Sequence, residues 1–224
     1  NMKIIVAGSF RSGSSSLYNM LVENNKTNFE ILKIHSCGVN EELINDSIVL
    51  VPIRNEKEIQ VSGYFQDIHS PVYEYSVFHD EENINIWNEN KDLNFFKEKF
   101  INEYSGQDDL IYENFKRFDF SKFIDLRNSG ILETLPFIEK ISFKKHSFEI
   151  IYYKKYKCKI CFIDFKILNN INVLNNMLNN LKLNIKIEKI IVCNRLDESD
   201  FKNDYFKLKE RLKNEGFFDS DYYN

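Results

Sequence analysis

The chain has 224 residues, with 30 Lys and Arg against 34 Asp and Glu for a formal charge of -4, and is 43% hydrophobic and 15% aromatic. That length fits one large domain or at most two small ones, and the composition excludes disordered, collagen-like and coiled-coil readings. The net charge and the lack of any block of Lys or Arg argue against general coating of nucleic acid, and nothing supports sequence-specific binding. Only 7 Gly and 3 Pro occur, well below the usual usage of about 7% and 5%, so the place of each Gly is informative. The 28 Asn, beside many Lys, Ile, Phe and Tyr, read as AT-rich codon usage and carry no functional message. Four cysteines (Cys37, Cys158, Cys161, Cys193) sit in a chain that reads as carrying no signal peptide and has no apolar run near about 18 residues. The expectation is a reduced, soluble, cytoplasmic protein without a transmembrane segment, with Met2 as its natural start.

Lys3 to Gly8 is a short apolar run of the kind that forms a buried parallel strand. A polar loop follows, and from Ser15 to Glu23 the spacing of Leu17, Met20 and Leu21 predicts a helix. Phe29 to Lys33 reads as a second strand and Ser47 to Ile53 as another buried one. This alternation implies an α/β fold with a mostly parallel central sheet, helices on both faces and right-handed crossovers. Asn55 and Glu58 resemble a capping box that starts a helix running to about His69, with Ile59, Phe65 and Ile68 inward. Asp92 to Tyr104 supports one helix through Phe96, Phe100 and Tyr104, whereas residues 105 to 140 look like a loop-rich part of a cap. Ser147 to Lys154 and Lys157 to Phe162 predict a hairpin around a two-residue turn. Leu168, Ile171, Leu174, Leu178 and Leu181 mark an amphipathic helix and Lys189 to Cys193 a last strand. Phe201, Tyr205, Leu208 and Leu212 mark a closing helix ended by Gly216. With no linker in view, residues 2 to 224 read as a single domain.

The loop Gly8-Ser9-Phe10-Arg11-Ser12-Gly13-Ser14-Ser15-Ser16 joins the first strand to the first helix. There an α/β sheet offers free N–H groups to an anion. Its two Gly are spaced as in a Walker A loop, but Ser14 stands where a triphosphatase needs Lys, and the cation is Arg11 instead. Successive hydroxyls at a helix start can donate to phosphate oxygens while Arg11 leans over the same anion. A Ser-rich helix cap on a flexible loop is the plainer alternative.

The run Arg11-Ser12-Gly13-Ser14-Ser15-Ser16-Leu17 resembles the phosphate loop of sulfotransferases that use 3'-phosphoadenosine 5'-phosphosulfate (PAPS). The resemblance implies that Arg11, Ser12, Gly13, Ser14, Ser15 and Ser16 bind the cofactor, with Ser14, Ser15 and Ser16 holding the 5'-phosphate. Arg11, standing where many members have Lys, would neutralise charge on the bridging oxygen. Val51 to Tyr64 is similar to the family's 3'-phosphate site, a buried strand ending in Arg54 with Ser62 eight residues later on the next helix. Between the two lies Lys33-Ile34-His35, like the Lys-x-His of cytosolic sulfotransferases. His35 would there take the proton from the acceptor hydroxyl, a task suited to an imidazole of near-neutral pKa. The tail Gly216 to Tyr223 resembles that of bacterial capsular-polysaccharide-synthesis proteins of the sulfotransferase-like type, and Cys161 to Lys166 is similar to the strand and acidic residue after the family's cap. Residues 2 to 70 carry these motifs; residues 70 to 150 match only in general character.

The resemblance therefore implies a P-loop-like three-layer fold and transfer of a sulfuryl group from PAPS to a saccharide hydroxyl in capsular or surface polysaccharide synthesis. The product is 3',5'-adenosine bisphosphate and no metal is required. Two other readings stay open: an atypical P-loop nucleotide kinase or triphosphatase, and a non-catalytic nucleotide-binding relative. Cys158-x-x-Cys161 invites a metal or redox reading, but inside a strand two residues at this spacing face opposite sides. Trp87 is the aromatic residue best suited to stack on a sugar acceptor, while Phe95, Phe96, Phe100, Tyr152 and Tyr153 read as core.

Overall fold

The computed structural model describes residues 2–8, 13–35, 38–69, 81–90, 92, 94–118, 147–193 and 200–218. In chain order its strands are β1 (Lys3–Gly8), β2 (Glu30–His35), β3 (Ser47–Ile53), β4 (Phe148–Tyr153) and β5 (Cys158–Asp164). Its helices are α1 (Ser14–Glu23), α2 (Glu41–Ile44), α3 (Glu56–His69), α4 (Glu81–Asn90), α5 (Phe95–Glu103), α6 (Asp108–Lys116), α7 (Ile171–Asn180) and α8 (Lys202–Asn214). The chain forms two compact units, residues 1–54 with 125–193 and residues 55–124 with 194–224.

The first unit is α/β. Its five-stranded sheet has the order β2-β1-β3-β5-β4, parallel throughout except for β4, which runs antiparallel to β5 at the edge. Successive residues of a strand face opposite sides, and both sides are covered here. Ile4, Val6, Ile48, Leu50, Cys161 and Ile163 pack with Leu17 and Met20 of α1 and Leu174 and Met177 of α7. The other side joins Ile5, Ala7, Val49, Val51, Ile160 and Phe162 to Val39 and Ile44. Double coverage explains why the central strands read as continuous apolar runs rather than alternating ones. Cys158 and Cys161 fall on opposite sides, and burial pushes both thiols up from their ordinary pKa.

Four expectations in this unit need correction, the simplest being Tyr152, which is 60% exposed on β4 rather than part of the core. Residues 189–193 form no strand, because side chains take their neighbourhood's backbone groups: Asn175 holds the Ile187 N–H and carbonyl at 2.7 and 2.9 Å, and the Cys193 N–H donates to Ser16 Oγ at 2.9 Å. The hairpin turn is not two residues but the 3-10 turn Lys154–Tyr156 followed by Lys157 at φ 47°. Tyr156 turns inward there and donates its hydroxyl to Glu41. The helix expected from Leu168 to Leu181 is divided into a 3-10 turn, Phe165–Asn169, and α7, because Asn170 caps the latter by accepting the Val173 N–H at 3.2 Å.

The second unit is helical. Asn55 starts α3 by accepting the Lys57 N–H at 2.9 Å, and Ile59, Phe65 and Ile68 are buried as their spacing requires. Phe65, Phe96, Phe100, Phe115 and Phe201 form its core, with edge-to-face contacts such as Phe100 on Phe201 at 4.9 Å and 73°. The stretch 105–140 is not all loop: α6 occupies Asp108–Lys116, with Asp108 and Asp109 in the first turn and Ile111 and Phe115 inward. Residues 119–146 of the expected cap lie outside the described residues. Gly216, at φ 73°, closes α8, and the Phe217 N–H bonds back to the Leu212 carbonyl at 2.9 Å. Among the described residues, no helix is long and apolar enough to cross a membrane.

Candidate functional site

The order of strands locates the site. From β1 the chain moves to β2 on one side and then passes back to β3 on the other. A ligand crevice in an open α/β sheet lies beyond the carboxyl ends of strands where connections diverge in this way. Five positions in or beside the motifs come to that edge. Gly8 ends β1, level in register with His35 at the end of β2. Ile53 ends β3, level with Asp164 at the end of β5, and Arg54 follows directly.

Gly13 begins α1 at φ 87° and ψ 9°, a left-handed conformation that favours glycine. A second constraint acts on the same residue: a Cβ on Gly13 would stand 2.5 Å from Leu168 Cδ1 and 2.9 Å from two ring carbons of Phe165. The first intrahelical bond runs from the Leu17 N–H to the Gly13 carbonyl at 3.1 Å, no side chain caps the helix, and its first turn holds no acid. Among the described residues the N–H groups of Ser14, Ser15 and Ser16 are thus left for an outside acceptor, at the positive end of the helix dipole.

The hydroxyls of that turn are oriented from outside the helix. Lys33, two residues before the end of β2, donates from Nζ to Ser15 Oγ at 2.8 Å. Ser16 Oγ accepts the Cys193 N–H at 2.9 Å, and Asn19 Nδ2 lies 3.1 Å from Cys193 Sγ. An oxygen that already accepts keeps its own proton to give away, so Ser15 and Ser16 are poised as donors. Ser14, beside them, is buried. The set is one of donors and a cation, which suits an oxyanion such as phosphate.

Arg54 lies with its guanidinium carbon 4.6 Å from the centroid of the Phe165 ring, within the range of a cation–π contact. Phe165 is held in turn by Asp164, a buried carboxylate that accepts the Lys166 N–H at 2.9 Å and so caps the 3-10 turn. Gly13 and Arg54 are therefore joined through one ring. Ser62 is placed differently: it is fully buried in α3 and belongs to the second unit, whereas Arg54 ends the first. Arg11 and Ser12 lie outside the described residues, as do the side chains of His35 and Trp87.

Two residues of this arrangement escaped the sequence reasoning. Lys33 stood beside His35 in the quoted motif but had no assigned task, and its position two residues before a parallel strand's end was the available signal. Phe165 had none, since its contacts with Gly13 and Arg54 span long stretches of chain. No family model, curated protein or solved structure matches the chain.

Proposed function

We propose that the chain is a PAPS-dependent sulfotransferase with a P-loop-like fold, acting on a saccharide hydroxyl in capsular or surface polysaccharide synthesis. The observation that carries this reading is the uncapped, acid-free start of α1 behind Gly13, with the Lys33 ammonium 2.8 Å from Ser15 Oγ, at the carboxyl edge of the parallel sheet. In this reading the 5'-phosphate sits on the N–H groups and hydroxyls of Ser14, Ser15 and Ser16, with Ser12 and Gly13 as cofactor-binding residues of the same loop. Arg54 takes the 3'-phosphate, the group that separates PAPS from ATP.

The reaction is an in-line displacement. The acceptor oxygen attacks sulfur, the bond from sulfur to the bridging oxygen breaks, and 3',5'-adenosine bisphosphate leaves. His35 takes the acceptor proton, while Arg11 and the helix terminus stabilise the charge that collects on the leaving phosphate. Fixed cations and donors supply that stabilisation without a metal.

Thermal shift with 3',5'-adenosine bisphosphate against ATP and magnesium tests the proposal. A selective rise with the bisphosphate is expected. A rise with ATP alone would replace it by a nucleotide kinase or triphosphatase, and no rise with either by a non-catalytic relative. Against an identified acceptor, Arg11→Ala and His35→Ala should both abolish turnover, with bisphosphate binding better preserved in the second.

A further inference from the structure

We infer that Phe165 is a positioning residue that sets the ligand specificity of this site, by holding Arg54 at a fixed distance from the start of α1 and so selecting ligands with two separated anionic groups. The inference rests on the reading of Ser14 to Ser16 and Arg54 as two phosphate positions. One face of the ring carries the Arg54 guanidinium, 4.6 Å from the centroid. Its Cδ2–Cε2 edge lies against Gly13, 2.9 Å from where a Cβ would stand. Both ends of this spacer are anchored. Gly13 is the first turn's own hinge, at φ 87°, and Arg54 follows Ile53, which is level with Asp164 in the sheet. Asp164 in turn caps the 3-10 turn that begins with Phe165.

An aromatic ring is rigid and has only two side-chain torsions, so it transmits position better than an aliphatic side chain of similar bulk. A guanidinium stands on a long stem, and ordering it on meeting an anion costs entropy. Stacking on Phe165 contributes to fixing it before the ligand arrives. The benefit falls on a ligand that reaches both places at once and not on one that occupies α1 alone.

Isothermal titration of the wild-type chain and of Phe165→Leu, Phe165→Tyr and Arg54→Met with 3',5'-adenosine bisphosphate and with 5'-AMP tests this. Wild type should prefer the bisphosphate. Phe165→Leu should lose about five- to tenfold of that preference, with 5'-AMP affinity unchanged, and Phe165→Tyr should retain it. Combining Phe165→Leu with Arg54→Met should cost no more than Arg54→Met alone, since the ring acts through the guanidinium. The inference is overturned if Phe165→Leu keeps the full preference, or if it weakens both ligands equally, as a ring that only packs α1 would. A wild type with no preference for the bisphosphate instead removes the two-phosphate reading beneath it.

Discussion

The helical unit and the start of α1 in the sheet unit handle their polar groups in opposite ways. In the helical unit, carboxylates and cations close on one another. Buried Asp204 takes the Ser105 hydroxyl at 2.7 Å and the Gly106 N–H at 2.9 Å, and Arg211 meets Asp109 at 2.7 Å while lying 3.8 Å over the Tyr112 ring. Lys97 pairs with Asp200 and Lys209 with Glu58, at 2.8 and 2.9 Å. Even a hollow of about 330 Å³ in this unit is lined by opposed charges, Asp108, Asp109 and Asp204 with Lys207 and Arg211. In the sheet unit the start of α1 presents N–H groups, hydroxyls and Lys33 without a carboxylate of its own. A surface with balanced charges holds a fold together; a one-signed donor set, costly to leave unmatched, is where a ligand belongs.

That contrast can be broken at its strongest point first. Phe65 is fully buried, with Phe100, Phe201 and Tyr205 around it, so Phe65→Ala should cost about 3–5 kcal/mol in a denaturant titration. Next come two glycines of almost equal backbone angle, Gly13 at φ 87° and Gly106 at φ 80°. Around Gly106 nothing lies within 4 Å of an added Cβ, whereas Gly13 is closely approached. Gly106→Ala should therefore cost about 1–2 kcal/mol for the left-handed backbone alone. Gly13→Ala adds overpacking against Phe165 and Leu168, for about 2–4 kcal/mol in all, and should also weaken bisphosphate binding. Equal costs at the two positions would show that the close approach to Gly13 does not matter.

Lys209→Met withdraws a cation from Glu58, whose side chain is only 7% exposed, and should destabilise by about 1–3 kcal/mol. The smallest effect is expected at Glu41 in the sheet unit. The Tyr156 hydroxyl first, and the Lys155 ammonium next, hold its carboxyl below the ordinary pKa. Its contribution is complete above the unfolded carboxylate pKa, about 4.3, and is lost as pH falls through the depressed folded value. Denaturant midpoints measured from pH 6 downward should thus fall slightly less for Glu41→Gln than for wild type on the acid side.

Some elements were legible because their signal is local. The apolar runs Lys3–Gly8 and Ser47–Ile53 coincide with β1 and β3, since a strand covered on both faces has no freedom to vary. Asn55 marks the start of α3 and Gly216 the end of α8 by side-chain and backbone chemistry that acts within a few residues. Failures fell where a non-local partner intervened. Lys189 to Cys193 has a strand's composition, but Cys193 donates its N–H to Ser16 in place of a ladder partner. Helix α6 was hidden because polar residues dominate it, and Ile111 and Phe115 make sense only once the aromatic core they complete is present.

The sequence by itself determined that a glycine-hinged, hydroxyl-rich loop follows a buried strand, that single arginines stand in the loop and after another strand, and that the chain is α/β. These are consequences of composition, period and short spacing. Only the tertiary structure decided that Lys33 reaches Ser15, that Cys193 orients Ser16, and that Phe165 lies between Gly13 and Arg54. Such contacts depend on strand order and register, which bring together residues far apart in the chain, and no local rule specifies which of many apolar side chains will fill the space beside a glycine.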